Sequence, residues 1–356
     1  MFHQIHWTQK KIEARLRLVE PLIFRDKKPL APFRYKELSS PQEIPPFGAD
    51  SSDWQVIKPD SFWGAPRTDF LLKTRFTVPE EWTRPALYLP LGGYPPGGKG
   101  AGDFSHPECL MYLDGQSHAG CDRHHQLVEI PAELADGTEH RLDLHGWTGL
   151  GSSWQHTDET HRMQMRTCYV VNICGKTRQL LAAARVALGL TRVLEEHDPA
   201  RTRLLNVLHQ AFCVLDTREP LDERFYDSVP EALRILENGL VEAGPPLDVD
   251  LVCAGHAHID VGWLWPVGQT RQKSSRTFHT VDHLMNDFED YHFSQSQPQL
   301  YDYIRQDYPQ LFERIKERVK EGRWEVLGGL WVEADANLTG SEALARQLVL
   351  GRSFFR

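Results

Sequence analysis

The sequence has no basic block. Lys and Arg total 40 against 49 Asp and Glu, a formal charge of −9, and the acidic residues are spread along the chain. Nucleic acid and anionic membrane surfaces are therefore poor partners. Long apolar runs are also lacking. The stretch MFHQIHWTQKKIEARLRLVEPLIF alternates charged and apolar residues, so it supplies neither a signal-peptide core nor a membrane span, and the expectation is a cytoplasmic protein. Cysteine is sparse: Cys109, Cys121, Cys168, Cys174, Cys213 and Cys253 stand at irregular spacings with no CxxC pair. That argues against a disulfide framework and for reduced, mostly buried thiols. No fixed-period repeat runs through the chain.

What is present is a globular composition, 40% hydrophobic and 25% charged over 356 residues, enough for two or three domains. Trp (10) and His (17) are well supplied, a weak hint of sugar stacking and metal binding. Residues 1–50 read as an amphipathic helix from Gln9 to Leu22 followed by a Pro-rich connector. Residues 51–176 carry short β-type runs, among them FLLKTRFTV, ALYLPL, CLMYLDG, HRLDLHGW and MRTCYVVNI. That spacing predicts an antiparallel β-sandwich, with an Asp-Gly hairpin turn in LMYLDGQSHAG. Such a sandwich could bind carbohydrate, but a structural domain that packs on a neighbour is the favoured reading. Residues 177–245 have a helical period and predict a linker of three helices. From 246 to 356 strands and helices alternate, with VDLVCAGH (249–256), YHFSQSQ and RWEVLGGLW as strands and SSRTFHTVDHLMNDF, LYDYIRQDYPQLFERIKERVKEG (300–322) and SEALARQLVLGRSFFR as helices. This predicts the start of an α/β domain with a parallel, barrel-like sheet. The fold class expected is thus multidomain α and β.

The densest reactive cluster is His256-Ala257-His258-Ile259-Asp260, at the end of the apolar run DLVCAG. In α/β folds that end of a strand is where sites form. A strand period of two places His256, His258 and Asp260 on one side, where imidazole and carboxylate can share a cation. Read structurally, the same histidines cap the strand and Asp260 caps the next segment. A second strand, in RWEVLGGLW, is followed by Glu333 and Asp335. A carboxylate there could complete a metal shell and attack an electrophilic carbon. Alternatively, both are loop residues and Asn337 caps the helix that follows.

HAHIDVGWLWP together with GGLWVEADANLTGSEALARQLVLGRSFF resembles glycoside hydrolase family 38, the class II α-mannosidases. The β-rich N-terminal region is similar, more loosely, to the cytosolic and vacuolar branch. The resemblance implies a retaining α-mannosidase acting on terminal mannose of oligosaccharides, with one divalent metal, Zn²⁺ foremost and Co²⁺ the other candidate. His258 and Asp260 match two metal ligands. Asp335 matches the residue that is both ligand and nucleophile. Trp263 matches an aromatic platform beneath the sugar, beside Gly262, which leaves room for it, and His256 matches a residue that is not a metal ligand but orients Asp260 or a neighbour. Members of this branch are about three times as long, so the resemblance places the acid/base and a fourth ligand, a His, beyond Arg356 and implies that the chain alone is inactive. Glu333 and Asp302 are nearby carboxylates that do not match the family motif. A metal-dependent amidohydrolase, which also begins with H-x-H at a strand end, and a non-catalytic carbohydrate-binding or scaffold protein stand as alternatives. Composition leaves a homo-oligomer open.

Overall fold

A computed structural model of the chain describes residues 2–43, 46–92, 106–150, 162–218, 223–244 and 249–356. Helix α1 (Phe2–Val19) leads into strands β1 (Phe24–Pro29), β2 (Phe33–Leu38), β3 (Gln55–Ile57), β4 (Phe62–Trp63), β5 (Asp69–Thr77) and β6 (Pro85–Tyr88). Then come β7 (Glu108–Leu113), β8 (Gln116–Cys121), β9 (Leu127–Glu129), β10 (Glu139–Trp147), β11 (Met163–Gln164) and β12 (Tyr169–Ile173). A six-stranded sheet has the order β3-β2-β5-β10-β7-β8, a four-stranded sheet the order β1-β12-β6-β9, and β4 pairs with β11; all pairings are antiparallel.

The two larger sheets share one apolar core. Phe70, Leu72, Met111, Leu142 and Leu144 of one meet Leu87, Val128 and Val170 of the other. This agrees with the alternation in FLLKTRFTV and HRLDLHGW, whose strands pair along their whole length with Leu72 opposite Leu144. The Asp-Gly turn forms as expected: Asp114 and Gly115 have φ of 49° and 88°, the left-handed pair that a tight hairpin requires. Residues 24–38 differ from the expected connector. Both strands there join the sheets, and Pro29 is accommodated because β1 is an edge strand, where no partner needs its missing N–H. Cys109, Cys121 and Cys168 are buried free thiols, Cys174 is half-buried, and Cys213 and Cys253 are exposed.

Helices α2 (Gly175–Val193), α3 (Pro199–Val214) and α4 (Glu223–Ala243) form the expected three-helix segment. They share a core with α1 that includes Ile12, Leu181, Phe212, Phe225 and Leu236. The boundary expected at 245/246 lies outside the described residues.

The last part runs β13 (Gly255–His256), α5 (Val267–Asp287), β14 (Phe293–Gln295), α6 (Pro298–Asp307), α7 (Pro309–Lys320), β15 (Trp324–Val326) and α8 (Ser341–Phe354). Its strands form a parallel sheet, β13-β14-β15, with His256 opposite Ser294 and Ser294 opposite Glu325. Two expectations are corrected. The strand expected over 249–256 pairs only at Gly255 and His256. The apolar run before it is solvent-facing, with Leu251 and Val252 83% and 96% exposed. The helix expected over 300–322 is two helices, because Pro309 has no N–H to give and its ring crowds the preceding turn.

Helix α5 is the joint of the molecule. Phe278, Val281 and Met285 pack on the parallel sheet with Phe293 and Trp324. Its other face lies against the sandwich: Gly120 N donates to Thr280 Oγ1 (3.1 Å), and His279 Nε2 lies 2.9 Å from Ser117 Oγ. A Cβ on Gly120 would stand 2.6 Å from Thr280 Oγ1 and 3.2 Å from the Arg276 carbonyl, so glycine permits this approach.

Candidate active site

The chain leaves strand geometry after His256, so strand periodicity does not align His256, His258 and Asp260. The loop that follows is held by other means. His256 Nδ1 lies 2.8 Å from the Ser294 carbonyl and ties the strand end to β14. Buried Gln297, with φ 61°, donates from Nε2 to the Ile259 carbonyl (2.9 Å), while its Oε1 accepts from Glu333 N (3.3 Å). One amide thus joins the loop after β13 to the loop after β15. The Asp260 carbonyl accepts from Thr270 Oγ1 (3.0 Å) and from the Trp265 indole N–H (3.3 Å). Gly262, at φ 79°, makes a turn that a side-chain residue rarely adopts, and its N–H donates to the same Thr270 hydroxyl (3.0 Å).

These restraints bring His258 and Asp260 together: Nε2 lies 3.3 Å from Oδ1. On its other side His258 Nδ1 lies 2.6 Å from Glu333 Oε2. Ser296 Oγ donates to the other Glu333 oxygen. A neutral imidazole carries one N–H, and the shorter contact assigns it to Nδ1. Nε2 then presents a lone pair beside a carboxylate oxygen, an unmatched pair of donors to a cation of the kind zinc accepts. In that respect these two residues fit a divalent metal.

The rest of the expected shell is not assembled. Asp335 Oδ1 caps the loop by accepting from Asn337 N (2.9 Å). Among the described residues no three His, Cys, Asp or Glu side chains form a metal-holding group. Trp263 is half-exposed and meets Trp265 edge to face, with ring centroids 5.0 Å apart. Asp302 is engaged on α6 by Arg305 (2.5 Å) and Gln306 (2.7 Å). Glu333, read from sequence as a loop carboxylate outside the motif, is the closest carboxylate contact of His258. Its place after the strand expected in RWEVLGGLW was a visible signal, although that strand pairs only over Trp324–Val326 and Glu333 stands in the loop beyond it. Nothing in the sequence around Gln297 marks its bridging role.

The loop opens on a cleft of about 710 Å³ whose far wall is the sandwich, so His256, His258 and Trp265 face Glu108, Asp122 and His125 across it. Burial works against the charge on Asp122. The side chain of His125 and the backbone N–H groups of His124 and His125 outweigh it and hold the carboxyl well below its ordinary range. Among the described residues no helix is long and apolar enough to cross a membrane.

Residues 248–356 match the glycosyl hydrolases family 38 N-terminal domain. Human alpha-mannosidase 2C1 is 24% identical over 326 residues, which cover 89% of this chain and 30% of that protein. Alpha-mannosidase G of Dictyostelium discoideum is 44% identical over 101 residues, 28% of this chain and 9% of that protein. Alpha-mannosidase of Saccharomyces cerevisiae is 33% identical over 139 residues, 39% of this chain and 12% of that protein. The chain therefore spans less than a third of the length of these relatives. A β-glucuronidase structure from Ruminococcus gnavus is 12% identical over 42% of this chain and 29% of that one, at a TM-score of 0.27, too low to bear on fold or function. Over residues 248–356, the chain is thus similar to the N-terminal domain of glycosyl hydrolases family 38.

Proposed function

We propose that the chain is the N-terminal part of a retaining α-mannosidase that removes terminal non-reducing α-D-mannose from oligosaccharides. In this reading, residues 246–356 begin a barrel-like α/β catalytic domain, with the sandwich of residues 51–176 and the helices of 177–245 preceding it. The observation that carries the proposal is the His258–Asp260 pair, set 3.3 Å apart in the family 38 domain with its cation-ready faces together. The α-mannosidase relatives support the choice of sugar.

His258, Asp260 and Asp335 would hold one divalent cation, Zn²⁺ or Co²⁺. When bound, it would supply Lewis-acid binding of sugar hydroxyls. The half-exposed Trp263 would support the apolar face of the mannose ring. A carboxylate oxygen of Asp335 would form a bond to the anomeric carbon as the bond to the leaving oxygen breaks. A second carboxyl group would give that oxygen its proton, and water would later release the sugar.

Equilibrium dialysis with Zn²⁺ or Co²⁺ tests the shared site. One metal per chain is expected for the wild type, and weakened binding for Asp260→Ala and for Asp335→Ala. Stoichiometry and affinity unaffected by either change would remove the shared site.

A further inference from the structure

We infer that Glu108, on the β-sandwich, is a positioning residue for the candidate active-site loop, acting through Lys273 and Trp265 on Asp260. The role of Asp260 rests on the functional reading above; the mechanical linkage rests on the contacts alone.

Glu108 opens β7 and is 9% exposed. Its two carboxylate oxygens accept from Lys273 Nζ at 2.7 and 2.6 Å, and Arg276 joins them from the next turn of α5. Burial disfavours this carboxylate, yet the two cations outweigh it and hold Glu108 below its ordinary range. Among the described residues, Glu108 is the carboxylate that hydrogen-bonds Lys273. So fixed, the ammonium stands 4.4 Å from the centroid of the Trp265 ring and 5.9 Å from that of Trp147. Trp265 is 6% exposed, and its indole N–H reaches both the Asp260 carbonyl (3.3 Å) and Thr270 Oγ1 (3.2 Å). The linkage therefore runs from sandwich to ammonium to indole, and from the indole to the backbone of the residue beside His258.

A buried ionic cluster is a poor means of gluing two domains. Desolvating three charges offsets most of their attraction, and apolar residues of the same volume would bind as well or better. An ammonium held over an aromatic face instead fixes where that ring lies. The ring in turn fixes the carbonyl of Asp260, 3.3 Å away, so the sandwich sets the loop's conformation.

The test compares the full chain with Glu108→Gln, Glu108→Asp and the double change Glu108→Gln with Lys273→Gln. The double change removes the carboxylate together with the ammonium, so no lone buried ammonium prevents folding, and Arg276 keeps the Gln272 amide oxygen as an acceptor (3.3 Å). The readouts are the NMR resonance of the Trp265 indole N–H and amide exchange of residues 258–264. Both Gln variants should displace the resonance and speed exchange in the loop by about tenfold or more, with β5 and β10 protected as in the wild type. Glu108→Asp should restore part of the protection. An unmoved indole resonance with unchanged loop exchange in the double variant overturns the inference. So does faster exchange confined to β7, β8 and α5, which would make the cluster simple glue. Neither readout uses a metal, so failure of the functional reading, seen as wild-type chain that binds no Co²⁺, is separable from failure of this one.

Discussion

His258 stands between two carboxylates, Glu333 at 2.6 Å from Nδ1 and Asp260 at 3.3 Å from Nε2. The two contacts have different consequences. The side chains of His258 and Glu333 are 54% and 38% exposed, so as an ion pair they contribute little to folding. As an orienting contact the same hydrogen bond fixes the ring and its tautomer, so that Nε2 faces the Asp260 side. Glu333→Gln should therefore change the free energy of unfolding by less than about 1 kcal/mol. Affinity for Zn²⁺ or Co²⁺ should weaken about 10-fold or more. Urea denaturation and isothermal titration on one preparation check both, and a variant with wild-type metal affinity removes Glu333 from the site.

The joint between the sandwich and α5 carries a pH dependence. His118, His145 and His279 are each pushed down to about 4, all chiefly by burial. Partners agree with neutral rings: His279 Nδ1 lies 2.7 Å from the Ser275 carbonyl, and its Nε2 can accept from Ser117 Oγ. Arg276 beside His145 and Arg314 near His279 further oppose protonation, against Asp282 near His279. Above the unfolded value near 6.5 both states are neutral and the histidines add no slope. Below it the unfolded chain takes up protons that the folded chain refuses until about pH 4. Stability falls through that window by about 1.4 kcal/mol per pH unit per histidine. His125 and His140, whose values are raised, slope the other way, so the difference between proteins is the informative quantity. Urea midpoints of wild type and His279→Gln should converge as pH drops from 6.5 to 5. Parallel curves would show that His279 is not a buried neutral ring.

Asp335 is tested chemically. In a protein that contains this chain and turns over α-mannosides, a fluorinated mannosyl fluoride should transfer its sugar to the Asp335 carboxylate and release fluoride. The ester persists because the ring fluorine slows the second step. Mass spectrometry of the digested protein should find the label on the peptide that contains Asp335. Label on Glu333 or elsewhere assigns the nucleophile to that residue.

How much of this was legible depended on where the deciding interaction lay. The sandwich strands FLLKTRFTV and HRLDLHGW were readable because alternation and long pairing agree. β1 and β2 were not, because Pro29 and Pro32 masked them: Pro29 is tolerated in the edge strand β1, and Pro32 falls just before β2 begins. Residues 249–254 have the composition of a strand but no neighbour on that side among the described residues, and composition cannot supply a pairing partner. His258 and Asp260 were legible as a pair two residues apart. Glu333 is 75 positions from His258, and only the parallel register of β13, β14 and β15 brings the two loops side by side. Glu108 lies still farther off, on a sandwich strand, and only the packing of α5 against that strand brings Lys273 and Arg276 to it.

The loop that carries Glu333 and Asp335 has its own support, and it rests on a glycine. Helix α8 passes so close to the preceding turn that a Cβ on Gly351 would lie 2.1 Å from the Gly329 carbonyl oxygen and 3.0 Å from the Leu330 carbonyl carbon. Both are backbone atoms, so no rotamer change relieves the clash. That approach lets Gln347 serve the loop twice: its carbonyl accepts from Trp331 N (3.0 Å) and its Oε1 from Val332 N (2.8 Å). Gly329 itself would tolerate more, since its Cβ meets only the flexible stem of Arg352, at 3.2 Å. Gly351→Ala should cost about 1–3 kcal/mol and push α8 outward, freeing both amides. Gly329→Ala should cost less. Hydrogen exchange at Trp331 and Val332 together with urea midpoints checks the pair. Equal effects from the two changes would mean that α8 does not support the loop at Gly351.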